Sequence, residues 1–288
     1  MKKLNFRAEL AQYLSADTPI YPGDDDLYNF TSEVLLPNKA SIPKLYRYSP
    51  ADYNNIAALE TRRLFLSEAV GMNDIYEGLS CTADDSVVDN LEELRDVAYL
   101  KSFSEHKNDL LMWGHYGEEY SGMCVEYDLC SIEDSCAYHL FPVVYSDKRH
   151  THGNLKCTMR ELFELKHDQK NQNCPDEFDS LKDIMPLFVF KSNAWSYEAE
   201  WRLIVPYLQM NCMWTEVATS DEDHAEQYEI DTRYISFPYA SAVYLGPRME
   251  KHKKHHIAGI CRRLNIKAYE ANLSPDSYKL IAKEISVD

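Results

Sequence analysis

Apolar and polar positions along this chain alternate in two periods, so short strands are expected between amphipathic helices. Ile42-Pro-Lys-Leu45-Tyr46-Arg47-Tyr48 reads as a strand with Leu45 and Arg47 on one face and Tyr46 and Tyr48 on the other. Ser49-Pro50-Ala51-Asp52 then looks like a helix start, with Ser49 as cap, Pro50 in the first turn and Asp52 near the positive end of the dipole. Tyr53, Ile56 and Leu59 follow at helical spacing. A strand over 63–67 leads into the polar turn 71–78, where Asn73 and Asp74 suit local bonds to the backbone. Asn73, Asp74 and Glu77 are therefore read as structural. Further on, a strand is expected over 97–103. A helix opened by Asn108 or Asp109 carries Leu111, Met112, His115 and Tyr116, and a strand over 123–128 turns Met123, Val125 and Tyr127 inward.

The second half continues the pattern. Strands are expected over 141–145, 235–237, 242–245 and 266–270, with a basic helix over 249–264. Residues 159–166 are read as helical, and Phe178, Leu181, Met185 and Phe188 as a helical stripe interrupted by Pro186. Residues 1–40 stand apart as an acidic N-terminal extension, with Pro22-Gly23-Asp24-Asp25-Asp26 as a turn and Glu33–Pro37 as an edge strand. Residues 41–288 are expected to form a single α+β domain, with mixed, largely antiparallel sheets and flanking helices.

Chemistry gathers in Lys191-Ser-Asn-Ala-Trp195-Ser-Tyr-Glu198-Ala-Glu200-Trp201-Arg202. A strand from Glu198 onward puts Glu198, Glu200 and Arg202 on one face and Trp201, Leu203 and Val205 on the other. Two acids on one strand face repel unless a cation or a reaction needs them, so the run is either an ion-pair ladder or a working site.

Composition narrows the choices. A net charge of −17 argues against a broad nucleic-acid surface, though not against one nucleotide held in a local basic pocket. The eight cysteines include no Cys-x-x-Cys pair, and ordinary reduced thiols are expected. There is no apolar run long enough to span a membrane and no apolar stretch of the kind a signal peptide carries near Met1, so a cytoplasmic protein with no membrane partner is expected. His252, His255 and His256 have metal-ligand spacing on a helix, but Lys251, Lys253 and Lys254 beside them oppose a cation, and no metal is expected. That helix, with Arg248, Arg262 and Arg263, is the clearest basic cluster, suited to a nucleic-acid acceptor or to the acidic N-terminal segment.

Several motifs fall in a telling order: Leu45-Tyr-Arg47-Tyr, Asn73-Asp-Ile-Tyr-Glu77, Phe103-Ser104, Leu111-Met-Trp113-Gly-His115-Tyr116, Gly122-Met-Cys-Val-Glu-Tyr-Asp128, Trp195 to Arg202, and Leu245-Gly246-Pro247. From about residue 43 to the end the chain resembles the bacterial domain-of-unknown-function family number 2971. Ile75 departs from it, standing where that family usually has proline. The layout is similar, more distantly, to ADP-ribosyltransferases, which pair a first-strand Arg or His with a late-strand Glu, and whose arginine-modifying members show a Glu-x-Glu pair.

That resemblance implies an ADP-ribosyltransferase-like fold and NAD as substrate. Cleaving the nicotinamide–ribose bond builds positive charge on the ribose, which a carboxylate stabilises. Glu200 is expected in that role, with Glu198 aligning or deprotonating the acceptor. Arg47 would hold a phosphate or ribose and lie near Glu200, beside the central Ser104. Tyr46, Tyr48, Trp113, His115 and Tyr116 complete the expected cofactor site, although Trp113 and His115 taken alone suit core packing and a helix hydrogen bond. The implied activity is that of a bacterial toxin or phage-defence effector with a protein or nucleic-acid acceptor and an antitoxin or chaperone partner. The alternative is a non-enzymatic module that binds a ligand or phage component.

Overall fold

The computed structural model describes residues 4–14, 26–78, 81–82, 98–151, 185–206 and 233–285. Its strands in the first half are β1 (Leu45–Ser49), β2 (Arg63–Phe65), β3 (Ser67–Glu68), β4 (Cys81–Thr82), β5 (Ala98–Ser104), β6 (Met123–Tyr127), β7 (Leu140–Pro142) and β8 (Val144–Ser146). The later ones are β9 (His150–Thr151), β10 (Phe190–Ser192), β11 (Glu200–Pro206), β12 (Tyr234–Ser236), β13 (Ala240–Leu245), β14 (Lys267–Leu273) and β15 (Leu280–Glu284). The α-helices are α1 (Phe6–Tyr13), α2 (Asp26–Asn29), α3 (Tyr53–Glu60), α4 (Leu110–His115), α5 (Asp134–Ala137) and α6 (Lys251–Leu264). The principal sheet runs β15-β14-β13-β6-β1-β5-β11-β7, with β3 added on β5. Every pairing in it is antiparallel except β13 with β14. This is the expected α+β class with mixed, largely antiparallel sheets.

Register and alternation divide the central strands into two faces. Leu45, Phe103, Val125, Trp201 and Leu203 share the face that carries the large apolar core. Tyr46, Tyr48, Cys124 and Tyr244 share the other, a smaller aromatic cluster with Trp113. All five residues of β6 are buried, so both of its faces are covered rather than only the one with Met123, Val125 and Tyr127. The backbone also approaches itself closely beside β6. A Cβ on Gly122 would lie 2.3 Å from the Ser49 carbonyl oxygen, and one on Gly246 only 2.2 Å from that of Tyr120, so neither position has room for a side chain.

Several local expectations need correcting. Helix α3 is capped by Asp52, whose carboxylate accepts from Asn55 N at 2.8 Å, while Ser49 closes β1. An acidic side chain is as good a cap as serine. Residues 63–67 form two strands separated at Leu66, and 141–145 divide in the same way at Val143. The edge strand expected at 33–37 is instead a π-helical turn, Phe30–Leu35, running into the 3-10 segment Leu36–Ser41. Strand β15 had no counterpart in the sequence pattern. Residues 22–25, 83–96 and 159–166, together with Phe178 and Leu181, lie outside the described residues.

The N-terminal residues are integral to the core. Phe6, Leu10, Leu14, Leu27, Phe30 and Leu35 are buried in the same cluster as Leu45, Phe103 and Trp201, and Phe6 meets the Trp201 ring edge-on at 5.7 Å. Arg7 reaches further: its Nε donates to the Val143 carbonyl at 2.6 Å and its NH2 to the Glu200 carbonyl at 2.9 Å. Leu10→Ala should therefore destabilise the protein by about 2–5 kcal/mol, as for any large-to-small change in a packed core. Urea unfolding of the full chain checks this, and an unmoved midpoint would mean that α1 only rests on the surface.

Candidate functional site

Strand β5 organises the site because its two edges are filled differently. Along one edge β11 pairs without a break, from Glu200 opposite Ser104 to Pro206 opposite Ala98. Along the other, β1 holds on only at Tyr46 opposite Ser104, and β3 at Leu100 and Tyr99. Between those attachments the edge at 101–103 faces a slit, and there the sheet opens into a cleft of about 260 Å³. Tyr46, Arg47, Tyr48, Ser104, Tyr116, Glu198 and Glu200 all line it. Seven of the nine residues expected at the site are thus brought together.

The charged wall of the cleft is built on Arg202, a fully buried guanidinium. Its Nε donates to Glu200 Oε1 at 2.7 Å and its NH2 to Glu200 Oε2 at 3.0 Å. On its other side it grips both oxygens of Glu77, with NH2 to Oε2 at 2.8 Å, and it also donates to the Phe188 carbonyl at 2.6 Å. Lys191 bridges the two acids of the Glu-Ala-Glu run, 2.6 Å from Glu198 Oε2 and 3.0 Å from Glu200 Oε2. Its ammonium also sits 4.8 Å from the Trp195 ring centre. Tyr116 OH donates to Glu198 Oε1 at 2.6 Å.

Glu198 does not belong to the strand. It ends the 3-10 turn Asn193–Glu198, and Ala199 follows in the left-handed region at φ 44° and ψ 50°. That conformation costs a non-glycine residue roughly 1–2 kcal/mol. The backbone is held there from both sides, Ala199 N donating to Ser196 O at 3.2 Å and Glu105 N to Ala199 O at 3.1 Å. The two acids meet through this turn and their shared lysine, rather than by alternation along one strand.

Their protonation differs accordingly. Burial alone would raise the Glu200 pKa, but Arg202 and Lys191 outweigh it and bring it down to about 2. Burial raises Glu198, and the neighbouring Glu200 charge adds to this, against the pull of Lys191. Burial also raises Glu77. Glu200 is thus the fixed anion and Glu198 the carboxyl whose proton is more easily held.

Two expected residues lie elsewhere. Trp113 is fully buried behind Tyr48, ring edge to ring at 5.3 Å, and its Nε1 donates to the Lys107 carbonyl at 3.0 Å. His115 is on the exposed side of α4 and does not line the cleft. The expected closeness of Arg47 to Glu200 also needs correction. Alternation places their side chains on opposite faces of the sheet, and Arg47 forms no ion pair among the described residues. It borders the cleft because β1 and β5 part beside it.

Glu77, expected as a structural residue of its turn, and Lys191, to which no role was given, also join the network. Asp74 does form the turn expected of it, its carboxylate accepting from Tyr76 N at 2.9 Å. That turn delivers Glu77 to Arg202 across 125 residues of chain, which no local signal reveals. On α6, His255 Nδ1 bonds the Lys251 carbonyl and His252 faces Glu250 at 3.2 Å. Among the described residues no group of three His, Cys, Asp or Glu is placed to hold a metal ion.

Residues 112–203 match the family model described as Protein of unknown function (DUF2971). The match supports that family. It runs from α4 to the middle of β11 and so includes Tyr116, Lys191, Glu198, Glu200 and Arg202, whereas Arg47, Glu77 and the Leu245-Gly246-Pro247 motif lie outside it. No curated protein and no solved structure matches the chain.

Two outcomes test this network. Arg202→Leu leaves Glu77 and Glu200 buried without their cation and should cost about 3–5 kcal/mol in urea unfolding. The pH dependence follows from the sign of the Glu200 shift. Its folded pKa of about 2 lies below the ordinary carboxylate value near 4.3, so its contribution is complete above that value and lost as pH falls toward 2. The gap in urea midpoint between wild type and Glu200→Gln should narrow over that window. A constant gap would show that Glu200 is not held ionised by the fold.

Proposed function

We propose that this protein is an NAD-dependent ADP-ribosyltransferase, acting as a toxin or phage-defence effector on a protein or nucleic-acid acceptor. The observation that carries the reading is the distribution of charge about the slit. Three carboxylates, Glu77, Glu198 and Glu200, and four cations, Arg47, Lys101, Lys191 and Arg202, line the cleft; the acids are tied to Arg202 and Lys191, while Arg47 and Lys101 lie apart from them in the slit. NAD asks for this pattern: negative charge where the nicotinamide–ribose bond breaks, and positive charge toward the diphosphate. The cleft volume suits the nicotinamide riboside end of the molecule, with Tyr46 and Tyr48 as aromatic walls.

In this reading the C1′–N bond breaks with its electron pair leaving on nicotinamide, and the acceptor's nucleophilic atom forms the new bond to C1′. Glu200, permanently ionised, stabilises the positive ribose. Glu198 takes the acceptor proton, with its raised pKa bringing it closer to neutrality as a base. Tyr116 and Lys191 hold its carboxylate in place. Arg202 is the cation that keeps Glu200 charged.

One observation favours a binding module instead. Both oxygens of Glu198 and both of Glu200 already accept hydrogen bonds from the protein. Incubation with labelled NAD and cell lysate separates the readings. Transfer of label by the wild type and its fall by about 100-fold or more in Glu198→Gln are expected, the range for loss of a general base. Glu200→Gln should also fall, and circular dichroism melts report whether each variant remains folded. Absence of both label transfer and nicotinamide release, or equal transfer by both variants, would overturn the proposal. Ligand binding that survives Glu200→Gln but not Arg47→Ala would identify the module.

A further inference from the structure

The sheet carries a second cavity, of about 450 Å³, that opens toward the face opposite Glu200. Arg47, Ser67 and Lys101 line both cavities and so form the partition between them, at the place where β1 and β5 part. The rest of its lining comes from α3, β2, β6 and the residues beside β12.

Its charge is one-sided. Among the described residues, Arg47, Arg63, Lys101 and Arg233 line it together with one carboxylate, Asp52. That carboxylate is already engaged as the α3 cap, accepting from Asn55 N at 2.8 Å and Asn55 Nδ2 at 3.0 Å. Arg47, Arg63 and Lys101 form no salt bridge among the described residues. Lys101 is 4% exposed and donates to the Phe65 carbonyl, while the Arg233 guanidinium stacks 4.8 Å from the Phe65 ring centre. Elsewhere the chain pairs its buried cations: Arg202 and Lys191 each meet two carboxylates. Three cations that form no salt bridge among the described residues, Arg47, Arg63 and Lys101, thus gather around one cavity in a chain of net charge −17, an arrangement that a bound anion would stabilise.

We infer that this cavity binds the diphosphate group of a small molecule, on the face of the sheet opposite Glu200. Clustered guanidinium groups suit phosphate oxygens, which they can engage in pairs. The Asn54 and Asn55 amides and the Ser67 hydroxyl in the same lining provide neutral polar partners. The enclosed volume lies within the range of small-ligand pockets, roughly 300–1,000 Å³, and a duplex or long strand would need an open basic stripe instead. Burial and the neighbouring Arg47 charge hold the Lys101 pKa well below its ordinary value, and a bound diphosphate would raise it. The inference stands whether or not the acidic cleft turns over NAD.

The test is isothermal titration of the full chain with inorganic pyrophosphate at low salt. Saturable binding is expected, weakened by about tenfold or more in Arg63→Glu and unchanged in Arg248→Glu, an exposed charge reversal outside the lining of either cavity. Arg63 is exposed, so its reversal should leave the fold intact, and a thermal melt verifies this. No saturable binding, or equal affinity in folded Arg63→Glu, would overturn the inference. So would a short single-stranded oligonucleotide that binds and is not displaced by pyrophosphate, which would mark the surface as one for nucleic acid. Pyrophosphate binding without NAD turnover would sink the transferase reading alone.

Discussion

The structure depends on one buried guanidinium. Arg202 has no access to water, and a charge in that position is tolerable only when carboxylates surround it with good geometry. Glu200 comes from its own strand and Glu77 from a turn after β3, so the pairing welds the loop region to the sheet. Lys191 extends the same network to Glu198 and, through Trp195, to the turn before β11. Each of these groups is satisfied by the others, and none can be removed without leaving an opposite charge buried.

The second constraint is the incomplete edge of β5. A strand that lacks partners over part of one edge exposes backbone groups and opens a gap between its neighbours. Here the gap lies between β1 and β3, and it creates two cavities of opposite character. Glu77, Glu198 and Glu200 line one cavity and Arg63 and Arg233 the other, with Arg47 and Lys101 between them. A sheet closed along this edge would keep Arg47 and Glu200 apart, and neither cavity would have its present lining.

Much of the site was legible from residue types. The Glu198-Ala-Glu200-Trp201-Arg202 run announced paired acids beside a guanidinium, and Tyr46, Arg47, Tyr48, Ser104 and Tyr116 do border the same cleft. Trp113 and His115 were misplaced because a motif records which residues occur together, not which way a helix turns each of them. On α4 the tryptophan faces inward and the histidine faces solvent. Glu77 was read as a purely structural turn residue for a different reason. Its local setting, a polar turn begun by Asn73 and Asp74, explains itself through backbone hydrogen bonding and contains no hint of a partner in β11.

The sequence by itself determined the class of fold, most of the strands, the basic helix and the acidic pair, because periodicity and residue chemistry act over a few positions. Whether Glu198-Ala-Glu200 shares one strand was decided by the left-handed turn at Ala199, which is held by its N–H donating to the Ser196 carbonyl and its carbonyl accepting from Glu105 N. Only tertiary packing made the N-terminal segment part of the core and brought Glu77 to Arg202. It also placed Arg47 in a slit between two cavities instead of against Glu200. Each of these outcomes is set by contacts between residues distant in the chain and by how well buried charges are neutralised, and neither quantity is written in any local stretch.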